Sequence, residues 1–509
     1  MHHRVRSGLR IRRGVATSAM SLTLVIATAC LVAGCSSSRI VTGTATKAII
    51  DPNMSGTMAV ADGRSGVRDD APKPTGTVIG SDDGDDDELA LLAVNDVAEF
   101  WENDHWDPSW KGSFEPVEKL YSYDPRDASA SPVICSRKTY HTSPNAFWCP
   151  PRGGGPLIAW DRGGLLPGGR KYFGDMSIPG VLAHEYGHHI QFSAGLVDSD
   201  TNVIVREQQA DCFGGVYLRW VAEGHSKRFQ LSTGDDLSRV IAGLVDLSDT
   251  PLTPEEQQEY SERIGRPFNE ELDGHGSALD RVSAFQMGFD GDVATCAAIN
   301  QDEIDSRRKG LPILLPDAID DPNKGNAPVT EDLVNLVMTV SESIYSPKEA
   351  PRLSFDKADC SDAKPSEPAS YCPATNTVFV DLPELQKIGT PAGEEEEKLI
   401  QGDNTAISLV MSRYVLSLQK ERGDKLDTAE TGLRTACLTG YGQRQMADPK
   451  RELTLSAGDL DEAVAGLLTN GLVASDVNGD KVPSGFSRIS AFRVGVQTDD
   501  IQACYDQFR

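Results

Sequence analysis

His184-Glu185-Tyr186-Gly187-His188-His189-Ile190-Gln191 is the stretch on which the reading of this chain turns. Histidines four apart stack on one face of a helix and offer two imidazoles to one tetrahedral zinc ion. Glu185 then projects beside the metal as a general base for water. The flanks read as helix ends: Ser177 as cap, Pro179 in the first turn, Val181, Leu182 and Ile190 on the apolar face, and Gly195 as the stop. With 9 histidines in 509 residues, composition supplies roughly 0.01 chance matches to such a motif.

A catalytic zinc of this kind needs a third protein ligand and an open position. The metzincin pattern would place Gly at 191 and His at 194, where this chain has Gln191 and Ala194, so that class is excluded. Eighteen residues separate His188 from Glu207-Gln208-Gln209-Ala210-Asp211, a spacing that lets an antiparallel helix return past the first. Glu207 is read as the third ligand and Asp211 as the carboxylate that orients a ligand histidine; the reverse assignment, with Asp211 on the metal, stays open. Tyr186 and His189 point off the His184/His188 face and read as packing. No glycine-rich phosphate loop and no Gly-x-Ser-x-Gly elbow is present. Asp476-Val477-Asn478-Gly479-Asp480 begins like a calcium loop, but Lys481 and Ser487 stand where glycine and glutamate are required, and it reads as a turn.

His184 to Gln191, then Glu207 to Cys212, then His275-Gly276-Ser277 with Arg281 and Phe285, resemble the family of predicted neutral zinc metallopeptidases of bacteria, a gluzincin-like group. The resemblance covers about residues 90–300. It implies an α+β, zincin-like domain, mainly helical with a small sheet, with Zn2+ as cofactor and peptide or protein substrates. Family members share Cys-Pro before an apolar strand, as at Cys149-Pro150, although Gly153-Gly154-Gly155 are inserted here. In such an enzyme Glu185 moves the proton of the attacking water to the leaving amine, and His275 is the candidate oxyanion donor. Leu157-Ile158-Ala159-Trp160 is expected to accept an extended substrate by edge pairing.

A second copy follows. Arg281-Val282-Ser283-Ala284-Phe285 returns as Arg488-Ile489-Ser490-Ala491-Phe492, followed by Gly288 or Gly495, and Leu231-Ser232-Thr233-Gly234-Asp235 returns as Leu455-Ser456-Ala457-Gly458-Asp459. Trp148-Cys149-Pro150 returns as Tyr371-Cys372-Pro373. Order and repetition predict the bridges Cys135–Cys149, Cys212–Cys296, Cys360–Cys372 and Cys437–Cys504. Aligning Gln419 with Gln191 puts Ser412, Arg413 and Leu416 at the places of His184, Glu185 and His188, and aligning Cys437 with Cys212 puts Gly432 and Ala436 at those of Glu207 and Asp211. No histidine occurs after His275. The second copy is therefore expected to keep the fold, bind no catalytic zinc and pack against the first.

Residues 1–34 read as an export signal, with Arg4, Arg6, Arg10, Arg12 and Arg13 before an apolar stretch. It ends on Leu31-Val32-Ala33-Gly34-Cys35, which resembles a bacterial lipobox with Cys35 as the lipidated residue. Residues 35–88, rich in Ser, Gly, Thr and Asp, read as a flexible acidic linker. The folded parts are then 89–310, the metallopeptidase domain, and 328–509, the degenerate one, each with a core of its own. A formal charge of −27 argues against nucleic acid as partner. The whole reads as an exported, lipid-anchored zinc peptidase on the outer face of the cytoplasmic membrane, or secreted. The alternative is a non-enzymatic envelope lipoprotein that binds or scaffolds peptides around a vestigial zinc site.

Overall fold

A computed structural model describes residues 50–509 except 104, 136–137, 141–144, 152–155, 199, 247–256, 259–260, 263–264, 275, 313–314, 316–326 and 391–400. The export signal, Cys35, the Gly153–Gly155 insertion and His275 lie outside the described residues. Helices of nine or more residues are α1 (Asp85–Glu102), α2 (Leu165–Phe173), α3 (Ser177–Ala194), α4 (Val203–Ala222), α5 (Asp235–Asp246), α6 (Ala278–Asp290), α7 (Glu331–Tyr345), α8 (Asp403–Arg422), α9 (Ala429–Met446), α10 (Asp459–Thr469) and α11 (Gly485–Val496). The strands are β1 (Met54–Ser55), β2 (Met58–Ala59), β3 (Gly66–Val67), β4 (Val78–Ile79), β5 (Lys119–Tyr123), β6 (Ala146–Cys149), β7 (Leu157–Asp161), β8 (Phe229–Gln230), β9 (Arg352–Ser354), β10 (Ala369–Cys372) and β11 (Thr377–Val380). The architecture is mixed α+β, with long helices and small sheets.

The helix predicted around His184 is α3, and it is buried on nearly every side: Ile178, Leu182, Tyr186 and Ile190 are inaccessible to solvent or almost so. Gly195 ends it in the left-handed conformation at φ 66°, where a side chain would be strained. Ser177 does not cap it; Met176 takes the cap position, and the Ser177 hydroxyl donates to the Gly174 carbonyl. Gly187 lets α4 come close, since a Cβ there would stand 2.9 Å from Ala210 Cα. Contact is closer still between α4 and α6, where a Cβ at Gly288 would collide with the Cys212 carbonyl and one at Gly215 with the Phe285 carbonyl. Gly288→Ala should therefore cost about 3 kcal/mol in denaturant unfolding, because backbone rather than a pliable side chain must give way. Gly214→Ala is the control: its methyl group would meet nothing nearer than 3.8 Å, and it should be neutral or slightly stabilising.

The sheet beside α3 has the order β4-β5-β7-β6, with β4, β5 and β7 parallel and β6 antiparallel to β7. This corrects the expectation for Leu157–Trp160. Those residues form β7, which is hydrogen-bonded on both sides; the edges are β4 and β6, and β6 is the one in contact with α3.

The segment 50–88 departs from the flexible linker expected of it. β1 and β2 pair with each other, β3 with β8 and β4 with β5, while Ser484 N–H donates to the Pro52 carbonyl and Ser487 Oγ to that of Asp51. Its order rests on backbone hydrogen bonds to the rest of the chain, which a count of apolar residues does not register. The acidic run Asp85-Asp86-Asp87-Glu88 is the first turn of α1, where carboxylates suit the helix dipole. Asp87 accepts from the Trp160 indole at 2.7 Å, and Asp86 pairs with Arg170.

All four predicted disulfides are formed, which accords with an oxidising environment. No helix among the described residues is long and apolar enough to cross a membrane. The second half shows the same local arrangements. β9 is parallel to β11 and β10 antiparallel to it, as β5 and β6 are to β7, and a Cβ at Gly440 or Gly495 would strike the Phe492 or Cys437 carbonyl. The main core is shared between the halves, with a smaller cluster of Tyr123, Ile134, Phe147, Cys149 and Ala159 beside it. Residues 49–509 make a single compact unit, and one cluster of buried apolar side chains runs through both halves. Phe486 packs on Phe285 and Phe289, Lys481 and Arg488 reach Asp235, and Ala278 N–H donates to Asp461.

Candidate metal centre

α3 and α4 run side by side and bring His184, Glu185, His188, Glu207 and Asp211 together. His184 Nε2 and His188 Nε2 lie 3.2 and 3.4 Å from the same oxygen, Glu207 Oε2. On its other side His184 Nδ1 is 2.8 Å from Asp211 Oδ1. Arg281, on α6, forks onto Asp211, with Nε 3.0 Å from Oδ2 and Nη2 2.9 Å from Oδ1. Glu207 and Asp211 thus face opposite nitrogens of one imidazole. All five lie under cover, His188 most open, with its side chain 16% exposed.

The charges reinforce one another. Burial works against protonation of His184, yet the Asp211, Glu207 and Glu185 carboxylates hold it up at about 10. Burial likewise opposes ionisation of Asp211, but Arg281 and His184 hold it down at about 2. Glu185 is raised, mainly by burial, with Glu207 adding to the effect against the two histidines. This negative pocket around two imidazoles favours a cation between them, and metal binding displaces protons from such ligands.

Tyr186 and His189 are packing residues. The Tyr186 hydroxyl accepts from Val117 N–H, and His189 Nε2 lies 2.7 Å from the Glu115 carbonyl. Three contributors were not legible beforehand. Trp148 N–H, on edge strand β6, donates to Glu185 Oε2 at 2.7 Å; a backbone donor leaves no mark in sequence. Arg281 was visible as part of a motif but without its role as the clamp on Asp211. Gln191 Oε1 lies 3.2 Å from His188 Nδ1, which the three-residue spacing on one helix permits.

The corresponding places in the second half hold different chemistry. Ser412, Arg413 and Leu416 are fully buried in α8. The Arg413 guanidinium donates to Leu472 O at 2.6 Å, Ser475 Oγ at 2.8 Å and Asp476 O at 3.2 Å, and burial pushes it down to about 10. Arginine thus occupies the place aligned with Glu185. With no carboxylate at Ala436, Arg488 turns to the carbonyls of Leu467, Val482 and Pro483. Asp476–Asp480 is a turn, as expected, with Asp476 Oδ1 accepting from Asn478 and Asp480 N–H.

No known family model matches the chain, and no solved structure matches it. Over 139 residues it is 34% identical to a protein of Escherichia coli K12 named "Uncharacterized protein YpfJ", an alignment covering 24% of this chain and 43% of that one. The protein of the same name in Escherichia coli O6:H1 matches to the same extent. The matched stretch thus spans less than half the length of these curated relatives, and their names state no activity.

Proposed function

We propose that the chain is an exported zinc-dependent peptidase with His184, His188 and Glu207 as metal ligands and Glu185 as general base. One observation carries the reading: the 3.2 and 3.4 Å separations of the two Nε2 atoms from Glu207 Oε2. Ligands about 2.0–2.1 Å from a tetrahedral zinc stand about 3.3 Å apart, so the three atoms fit around one ion. Asp211, on the Nδ1 side, fits the role of carboxylate partner that fixes the His184 ring.

The metal would supply Lewis acidity toward the scissile carbonyl and the attacking water. Glu185 takes the proton of that water and passes it to the leaving amine nitrogen. Burial raises its affinity for a proton, which suits an acid-base group that must do both. Edge strand β6, whose Trp148 N–H already reaches Glu185, is placed to align an extended peptide alongside the ligands. The rival reading, a non-catalytic scaffold with a structural zinc, needs four protein ligands; three converge here among the described residues.

The recurring sheet order, glycine contacts and bridges support the second half as a degenerate zincin-like copy that braces the first. Export and a lipid on Cys35 accord with the disulfides. Metal analysis of the full chain tests the site. Wild type should hold one zinc per chain, and Glu207→Ala and His188→Ala should hold little or none; a full complement in His188→Ala would remove this centre from consideration.

A further inference from the structure

Asp403, the first residue of α8, and Asp459 and Glu462, in the first turn of α10, present carboxylate oxygens all within 4.8 Å of one another. Each of the three residues is only 7% exposed. Asp403 Oδ2 accepts from Ala327 N–H, Asp459 from the N–H and hydroxyl of Ser456, and Glu462 Oε2 from Asn404 N–H. Asp403 Oδ1 is buried and has no hydrogen-bond donor. No lysine or arginine among the described residues pairs with any of the three. Burial and mutual repulsion push Asp459 up to about 7 and Glu462 up to about 9. Three carboxylates packed in this way need a cation or protons.

The first half shows the arrangement that neutralises such acids from within. Asp175 stands sixteen residues before Gln191, as Asp403 does before Gln419, and Asp235 matches Asp459 in the Leu-Ser-x-Gly-Asp motif. Asp175 is paired with Arg170 at 3.0 Å, and Asp235 with Lys481 at 2.9 Å and Arg488 at 3.5 Å. Ser238 occupies the place of Glu462. Asp403 and Asp459 therefore lack the basic partners that Asp175 and Asp235 have, and Glu462 adds a third carboxylate.

We infer that Asp403, Asp459 and Glu462 form a site for a hard divalent cation, calcium by its readiness to shed water, which ties the N-terminus of α8 to that of α10. All donors are oxygen, which selects calcium or magnesium over zinc. The three oxygens all lie within 4.8 Å of one another, close enough to share one ion, and a buried all-protein carboxylate cage suits calcium better than magnesium, which gives up its water reluctantly.

The test is calorimetric titration of the full-length, chelator-treated protein with calcium chloride alone, in a His188→Ala background so that the imidazole centre cannot contribute. One calcium per chain should bind, and the melting temperature should rise with calcium concentration. Glu462→Gln and Asp403→Asn keep an acceptor oxygen for Asn404 and Ala327 N–H, yet each should weaken binding at least about tenfold by losing a charge and abolish the thermal response. Absence of calcium binding in the parent overturns the site, as does binding undiminished in both variants. A parent indifferent to calcium whose Glu462→Gln variant melts higher would show instead that the trio holds protons.

Discussion

Glu185→Gln should leave one zinc per chain in place and lower the rate of peptide cleavage on the order of 100-fold or more. The carboxamide has the size of the carboxylate and can still accept from Trp148 N–H, which lies 2.7 Å from Oε2. His184, His188 and Glu207 are untouched, so metal affinity should change little. Only the capacity to take a proton from water is removed. The measurement pairs zinc analysis with the appearance of new amino termini from unstructured peptides. A Glu185→Gln protein that cleaved as fast as wild type would end the peptidase assignment. One that lost its zinc would show that Glu185 helps to hold the metal rather than to move a proton.

Arg281→Met should have the largest effect on stability. It leaves the Asp211 carboxylate buried beside His184 without the guanidinium that forks onto both its oxygens. Removing one partner of a buried pair costs about 3–5 kcal/mol. Loss of a carboxylate's support for a ligand histidine also lowers metal affinity about 10–100-fold. The pH dependence has a definite sign. In the folded chain Asp211 sits at about 2, below the 3.8 of a free aspartate, so its contribution is complete above about 4 and is lost as pH falls toward 2. Without Arg281 the Asp211 carboxyl rises toward its ordinary value, so the part of the stability that wild type loses between about pH 4 and pH 2 should shrink. Urea unfolding between pH 2 and pH 7, with zinc titration at pH 7, would show both effects; wild-type stability and affinity in Arg281→Met would contradict the role given to this pair.

The sequence by itself determined what depends on local spacing. Histidines four apart, the Gly195 stop and the apolar face of α3 are properties of one helical segment. The four bridges followed from the order of eight cysteines in two parallel series. That the second half has no imidazole to offer a metal followed from the absence of histidine after His275. Tertiary structure alone decided what depends on partners distant along the chain. Glu207 and Asp211 share a helix face and a chemical type, and only the approach of α4 to α3 sets one at Nε2 of His184 and the other at Nδ1. β7 has the composition of a substrate-binding strand, but β6 folds back antiparallel over its free edge and takes that position. Residues 50–88 are poor in apolar side chains and are held by hydrogen bonds to β5, β8 and α11 and by Ile50, Met58, Val67 and Val78 against the core, at positions that follow from the packing of the whole. The two halves share one core because Phe486, Lys481 and Arg488 meet residues of the first half about 200 or more positions away. Pairings over such distances are settled by the simultaneous fit of surfaces, which no local pattern encodes.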